Sequence, residues 1–135
     1  MKRTLGALSA ALTLALPMAA VSAQFVGHYS EWRERTRLSQ LAYSQGLYDG
    51  QLLANQKDLV ATTVSRGLTQ CAAAIGLNAG MIADAITKYY ESDPDTWGHP
   101  PMVAFSFQIV RGACLDYVNA ERKTRGMELW ESGSR

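Results

Sequence analysis

Cys71, Cys114, His28 and His99 are the residues with the widest chemical reach in this chain of 135 residues. A thiol nucleophile needs a nearby base to ionise it, and the spacing ties neither histidine to either cysteine. Two Cys and two His so far apart give little material for a four-ligand metal site. Asp93 and Asp95 are close enough to act as an acid–base couple or to hold a cation. They flank Pro94, however, and no Glu follows at the spacing of a calcium loop, so ordinary turn chemistry is the better reading. His99 reads as a solvent-facing loop residue near a helix start. There is no phosphate-cradling glycine loop, no G-x-x-x-x-G-K and no G-x-S-x-G. The chain therefore reads as a non-enzyme with no cofactor and no metal.

The cysteines make better sense as a pair. A Cys71–Cys114 disulfide would close 43 residues, and chain-entropy arguments assign such a crosslink up to about 4 kcal/mol. Two free buried thiols are the alternative. A disulfide requires an oxidising compartment, and the N-terminus provides a route to one. Lys2 and Arg3 precede an apolar run from Leu5 to Ala20, followed by Val21-Ser22-Ala23. That is the layout of a secretory signal over 1–23, cleaved after Ala23. The run is shorter than the roughly 20 residues a membrane-spanning helix needs, and it contains Pro17. No Cys lies beside the cleavage point to carry a lipid. A retained membrane anchor is the competing reading. The expected destination is the periplasm.

Residues 24–135 then form one helical domain. Overall the chain is 47% hydrophobic and 19% charged, which excludes a disordered tail. Without Lys2 and Arg3 it carries 11 basic against 12 acidic residues, a net charge of −1. Such a balance argues against a nucleic-acid binder.

The elements that must position these residues are helical. Trp32, Leu38, Leu41, Tyr48 and Leu52 recur at helical spacing and predict a first helix from Ser30 to Gln56, with Ser30 as N-cap and room for a split. Gly46 and Gly50 share a face of that helix, which predicts close packing of a neighbouring helix there. Lys57 to Cys71 reads as a linker with a short extended stretch at Val60–Val64 and a turn at Ser65-Arg66-Gly67. A second helix runs from the Asn78 cap to Ser92, with Met81, Ile82, Ala85, Ile86 and Tyr89 as its apolar stripe. Tyr89 is expected in the core and Tyr90 on the surface. A loop from Ser92 to Pro100 follows. A third helix then runs from Pro100 or Pro101 to Lys123, burying Met102, Phe105, Ile109, Val110, Ala113, Tyr117 and Val118, and Gly126 ends it. Met127, Leu129 and Trp130 can fold back, while Ser132 to Arg135 should be loose. The expected fold is all-α, a small bundle of three to four helices with one disulfide.

Several of these features stand in a familiar order. Tyr43-Ser44-Gln45-Gly46-Leu47-Tyr48-Asp49-Gly50 comes first, then Cys71. Ala79-Gly80-Met81-Ile82-Ala83-Asp84-Ala85-Ile86-Thr87-Lys88-Tyr89-Tyr90 follows, then Asp93-Pro94, His99 and Cys114. From Gln40 to Cys114 the chain resembles the type VI secretion amidase-immunity family, the Rap/Tai immunity proteins. It departs from that family in having Ala72 after Cys71, Ala113 before Cys114, and 21 residues beyond Cys114. The resemblance implies a periplasmic protein that binds and inhibits a secreted cell-wall amidase by inserting a loop into the enzyme cleft.

A Trp in a Pro-bounded polar loop suits a binding anchor. The expected partner surface is therefore Asp93, Asp95, Trp97 and His99. The opposing possibility is that Trp97 folds back on Tyr89 or Tyr90 and caps the hairpin. Two other functions fit a small exported helical protein: an Hde-like acid-stress chaperone, or a structural envelope protein. The expected partner is an amidase effector, with a homodimer as a further option, and neither nucleic acid nor, after signal cleavage, membrane.

Overall fold

The computed structural model describes residues 26–54 and 57–133. The expected signal over 1–23 lies outside them. Among the described residues the fold is all-α, with α1 (Tyr29–Glu34), α2 (Arg37–Leu52), α3 (Leu59–Ile75), α4 (Ala79–Ser92), α5 (Pro101–Phe105) and α6 (Leu115–Thr124). A 3₁₀ turn covers Pro94–Thr96, and a π-helical segment, Ser106–Ala113, joins α5 to α6. None of the described helices is long and apolar enough to cross a membrane.

The first helix is split. Arg35 and Thr36 are extended, and the Thr36 hydroxyl accepts from Ser39 N at 3.3 Å, so Thr36 caps α2 as a threonine N-cap should. The N-cap of α1 is His28 rather than Ser30, and Glu31 reaches back to accept from Gly27 N at 2.6 Å. That bond, reinforced by His28, holds the Glu31 carboxyl below its ordinary pKa. The break lets Trp32 bury completely and donate from Nε1 to Thr87 Oγ1 of α4 at 3.0 Å. It also resets the helical phase, leaving Leu38 exposed instead of in line with Trp32.

The linker expected over 57–71 is instead most of α3. Asp58 caps it by accepting from Ala61 N at 2.8 Å. Its β-branched residues had suggested an extended stretch. In the helix, the hydroxyls of Thr62 and Thr63 bond back to the carbonyls of Asp58 and Leu59 at 2.8 and 2.7 Å. Gly76, at φ +66°, closes α3 in the left-handed conformation that suits glycine. Asn78 caps α4 as expected, accepting from Met81 N at 3.1 Å.

The close helix crossing is not at Gly46 and Gly50. Both are exposed, and a Cβ on either would meet nothing within 4 Å. These glycines do share a face, but α2 turns that face to solvent and buries Ser44 instead. The crossing is at Gly67, where a Cβ would lie 2.6 Å from the Val118 Cα. One turn further along the same antiparallel interface, Cys71 and Cys114 form the expected disulfide, with Cα atoms 5.4 Å apart. That spacing is normal for the bond. Beside it Gln70 Nε2 donates to Glu121 Oε1 at 2.6 Å.

The π segment reconciles two phases of the third helical stretch. Phe105, Ile109, Cys114, Val118 and Arg122 are all buried. Their steps are four residues, except for the five between Ile109 and Cys114. A regular α-helix would carry Cys114 off that face. The wider turn, with Cys114 N donating to Ile109 O at 2.8 Å, keeps it there. Met102, expected in the buried stripe, is exposed, as is Met81 of α4.

Gly126, at φ +66°, ends α6, and Met127 N then donates to Arg122 O at 3.0 Å. The chain runs back across the π segment. Asn119 grips Trp130 at both backbone polar groups, at 2.8 and 2.9 Å. The Trp130 indole lies between the guanidinium groups of Arg111 and Arg122, at 5.1 and 4.4 Å. Ser132 and Gly133, expected to be loose, lie against the π segment, and Gly133 N donates to Arg111 O at 2.9 Å.

Candidate functional site

The loop leaving α4 is tightly determined. Asp93 caps the 3₁₀ turn by accepting from Asp95 N at 2.9 Å. Thr96 is buried, with its hydroxyl 2.6 Å from Asp93 O and 3.3 Å from Tyr89 O. Trp97 Nε1 donates to Tyr90 O at 2.9 Å, and the Tyr90 hydroxyl donates to His99 O at 2.7 Å. Tyr29 N donates to Trp97 O at 3.0 Å, which ties the loop to α1.

Beneath the loop is an aromatic cluster. The Tyr29 ring stacks on Tyr90 at 5.0 Å and leans on Trp97 at 5.4 Å, while Tyr89 meets Tyr90 edge-on at 5.6 Å. Both Tyr89 and Tyr90 are buried, so the expected division of that pair between core and surface does not hold. The residues are adjacent, but each finds a shielded side: Tyr90 under α1 and the loop, and Tyr89 against Phe107 in a parallel stack at 6.1 Å. Burial holds the Tyr90 hydroxyl well above the ordinary tyrosine pKa, with the neighbouring tyrosines adding to the shift.

The four loop residues singled out by sequence do not form one patch. Trp97 is half-exposed and lines a cleft of about 360 Å³ with His28, Tyr29, Ser30, Arg33 and Gly98. Asp95 is exposed on the turn. Asp93 lies in a different cleft, shared with the π segment. His99 does not face solvent freely: it is half-buried, with Nδ1 2.7 Å from the Tyr89 hydroxyl. Which of the two donates depends on the imidazole tautomer.

The first of these clefts owes half its wall to α1. Arg33 falls in the expected amphipathic helix, whereas His28 and Tyr29 precede its expected start at Ser30 and are brought in because the cap of α1 is His28, two residues earlier. The Arg33 guanidinium sits 5.8 Å from the Tyr29 ring centroid. The signal was present in the sequence as Thr36, whose capping of a new helix frees α1 to swing over the loop.

Among the described residues no three His, Cys, Asp or Glu side chains gather as a metal site would require. Both cysteines are committed to the disulfide, so neither offers a thiol nucleophile. The loop offers a rigid, aromatic, partly exposed surface, which is suited to binding. No family model, curated protein or solved structure matches the chain.

Proposed function

We propose that this chain is a periplasmic immunity-type protein, a non-enzyme that binds a type VI secreted cell-wall amidase and blocks its active site. The observation that carries the reading is Trp97. It is half-exposed, yet its indole N–H donates to Tyr90 O and its own carbonyl accepts from Tyr29 N. A large aromatic held this way loses little freedom on docking, and preorganised aromatics are favoured anchors at interfaces. Arg33 and His28 on one side and Asp95 on the turn supply a polar surround. The disulfide supports export to an oxidising compartment.

The test is inhibition. The purified protein is mixed with a panel of purified type VI secreted cell-wall amidases, including any encoded in its own genome, and hydrolysis of peptidoglycan is followed. Stoichiometric inhibition together with a stable complex on size-exclusion chromatography is the expected result. Full amidase activity at micromolar excess of this protein overturns the reading.

A further inference from the structure

A second cleft, of about 560 Å³, opens between the C-terminal end of α4 and the π segment. Tyr89, Asp93, Phe107, Gln108 and Arg111 line it, and the C-terminal strap closes one edge through Ser132 and Gly133. The π turn builds one wall. Phe107, Gln108, Arg111 and Gly112 of this segment all face the cleft, and π-helical turns are frequent at functional sites. Gly112 adds no side chain to fill the space.

The charges in this cleft are unusual. The Arg111 guanidinium lies over the Trp130 ring, 5.1 Å from its centroid, its Nε is buried without an acceptor, and it makes no ion pair among the described residues. The Asp93 carboxylate accepts a single backbone N–H, from Asp95, and likewise has no cationic partner among them. A cation and an anion thus line one cavity without meeting. Both residues are half-buried, so water reaches them, and a ligand carrying the two opposite charges would find a group of each sign in one cleft. The same cleft is lined by the parallel Tyr89–Phe107 pair, of which Phe107 is the more exposed ring, and by Gln108.

We propose that this cleft binds a small zwitterion, an amino acid or short peptide, with its carboxylate on Arg111, its ammonium group toward Asp93 and its apolar part on the Tyr89–Phe107 rings. A guanidinium fork is matched to a carboxylate, and the cavity has room for a dipeptide. The site does not depend on the amidase-inhibitor reading, although Asp93 belongs to the same loop.

Isothermal titration calorimetry of the purified protein tests it. The probes are the free L-amino acids and a set of glycyl dipeptides, each at up to about 10 mM. Saturable one-to-one binding by at least one probe is expected. Amidating the carboxylate of that probe should weaken binding by about tenfold or more, as should acetylating its amine. Asp93→Asn should bind the free and acetylated forms alike, and Arg111→Gln should bind the free and amidated forms alike. Because Arg111→Gln also loosens Trp130, the blocked probes on the unaltered protein serve as the independent readout. No saturable binding across the whole set overturns the proposal. So does equal binding of the free and doubly blocked forms.

Discussion

Gly67 of α3 lies directly against the backbone of Val118 on α6, so close that a Cβ would stand 2.6 Å from Val118 Cα and 2.8 Å from its N. Neither atom is at the end of a flexible side chain that could swing away. Gly67→Ala must therefore push two helices apart at a point one turn from the disulfide. The expected loss is about 1–3 kcal/mol, as for other overpacked cores. Gly46→Ala should have the opposite sign. That glycine is exposed within a helix, and alanine there gains about 0.5–1 kcal/mol. Urea melts of the two variants check both signs. A neutral Gly67→Ala would mean that the crossing is looser than described.

The Cys71–Cys114 bond joins α3 to the end of the π segment and encloses α4 and the aromatic loop. Replacing both cysteines with alanine should cost about 2–5 kcal/mol, as is typical for small disulfide-bonded domains. Dithiothreitol should lower the stability of the unaltered protein by a similar amount and leave the double variant unchanged. Equal melts with and without reductant would show that the bond contributes nothing.

How far the sequence could be read depended on which signals were local. Asn78 as a cap, Gly126 as a terminator and the cysteine pairing rest on residue chemistry that tertiary context did not override. The all-α class followed from periodicity. The errors came where two local signals competed. Val60, Thr62, Thr63 and Val64 favour extended backbone, yet a good Asp58 cap and the burial of Thr63, Val64, Leu68 and Cys71 on one face give a helix. Gly46 and Gly50 drew attention by their four-residue spacing, but spacing alone does not say which face is inward. Gly67, read as part of a turn, had no helical context from which to be recognised. The same limit applies to the loop. Its residues could be named, but not their division between two clefts, because that depends on α1 from one side and the π segment from the other.

Tyr90 links the loop to alkaline stability. Its hydroxyl donates to His99 O at 2.7 Å and is held above the ordinary tyrosine pKa chiefly by burial. In the unfolded chain a tyrosine ionises near pH 10. A raised folded-state pKa means the stabilisation is fully present below that value and is lost as pH rises above it, because the unfolded state gives up its proton first. Tyr90→Phe should cost about 1–2 kcal/mol at neutral pH through the lost hydrogen bond and the unpaired His99 carbonyl. It should also flatten the fall in stability above pH about 10. Melts from neutral to alkaline pH test this, and an unchanged alkaline slope would remove Tyr90 as its source.

Trp97 has two duties that one substitution can separate. Within the protein its N–H holds the Tyr90 carbonyl and its ring leans on Tyr29, so Trp97→Ala should lower stability by about 1–2 kcal/mol. A residue serving only as a hairpin cap would do no more than that. As the anchor of an interface it should also weaken an amidase complex by about 2 kcal/mol or more, roughly thirtyfold in Kd. Trp97→Phe sharpens the comparison. It keeps an aromatic face toward the cleft of His28 and Arg33 but loses the donor to Tyr90, so stability should fall while most of the affinity survives. The affinities are measured by calorimetry well below the melting temperature of every variant, so that Kd refers to folded molecules. An unchanged Kd for Trp97→Ala would confine this indole to capping the hairpin and move any partner surface elsewhere on the molecule.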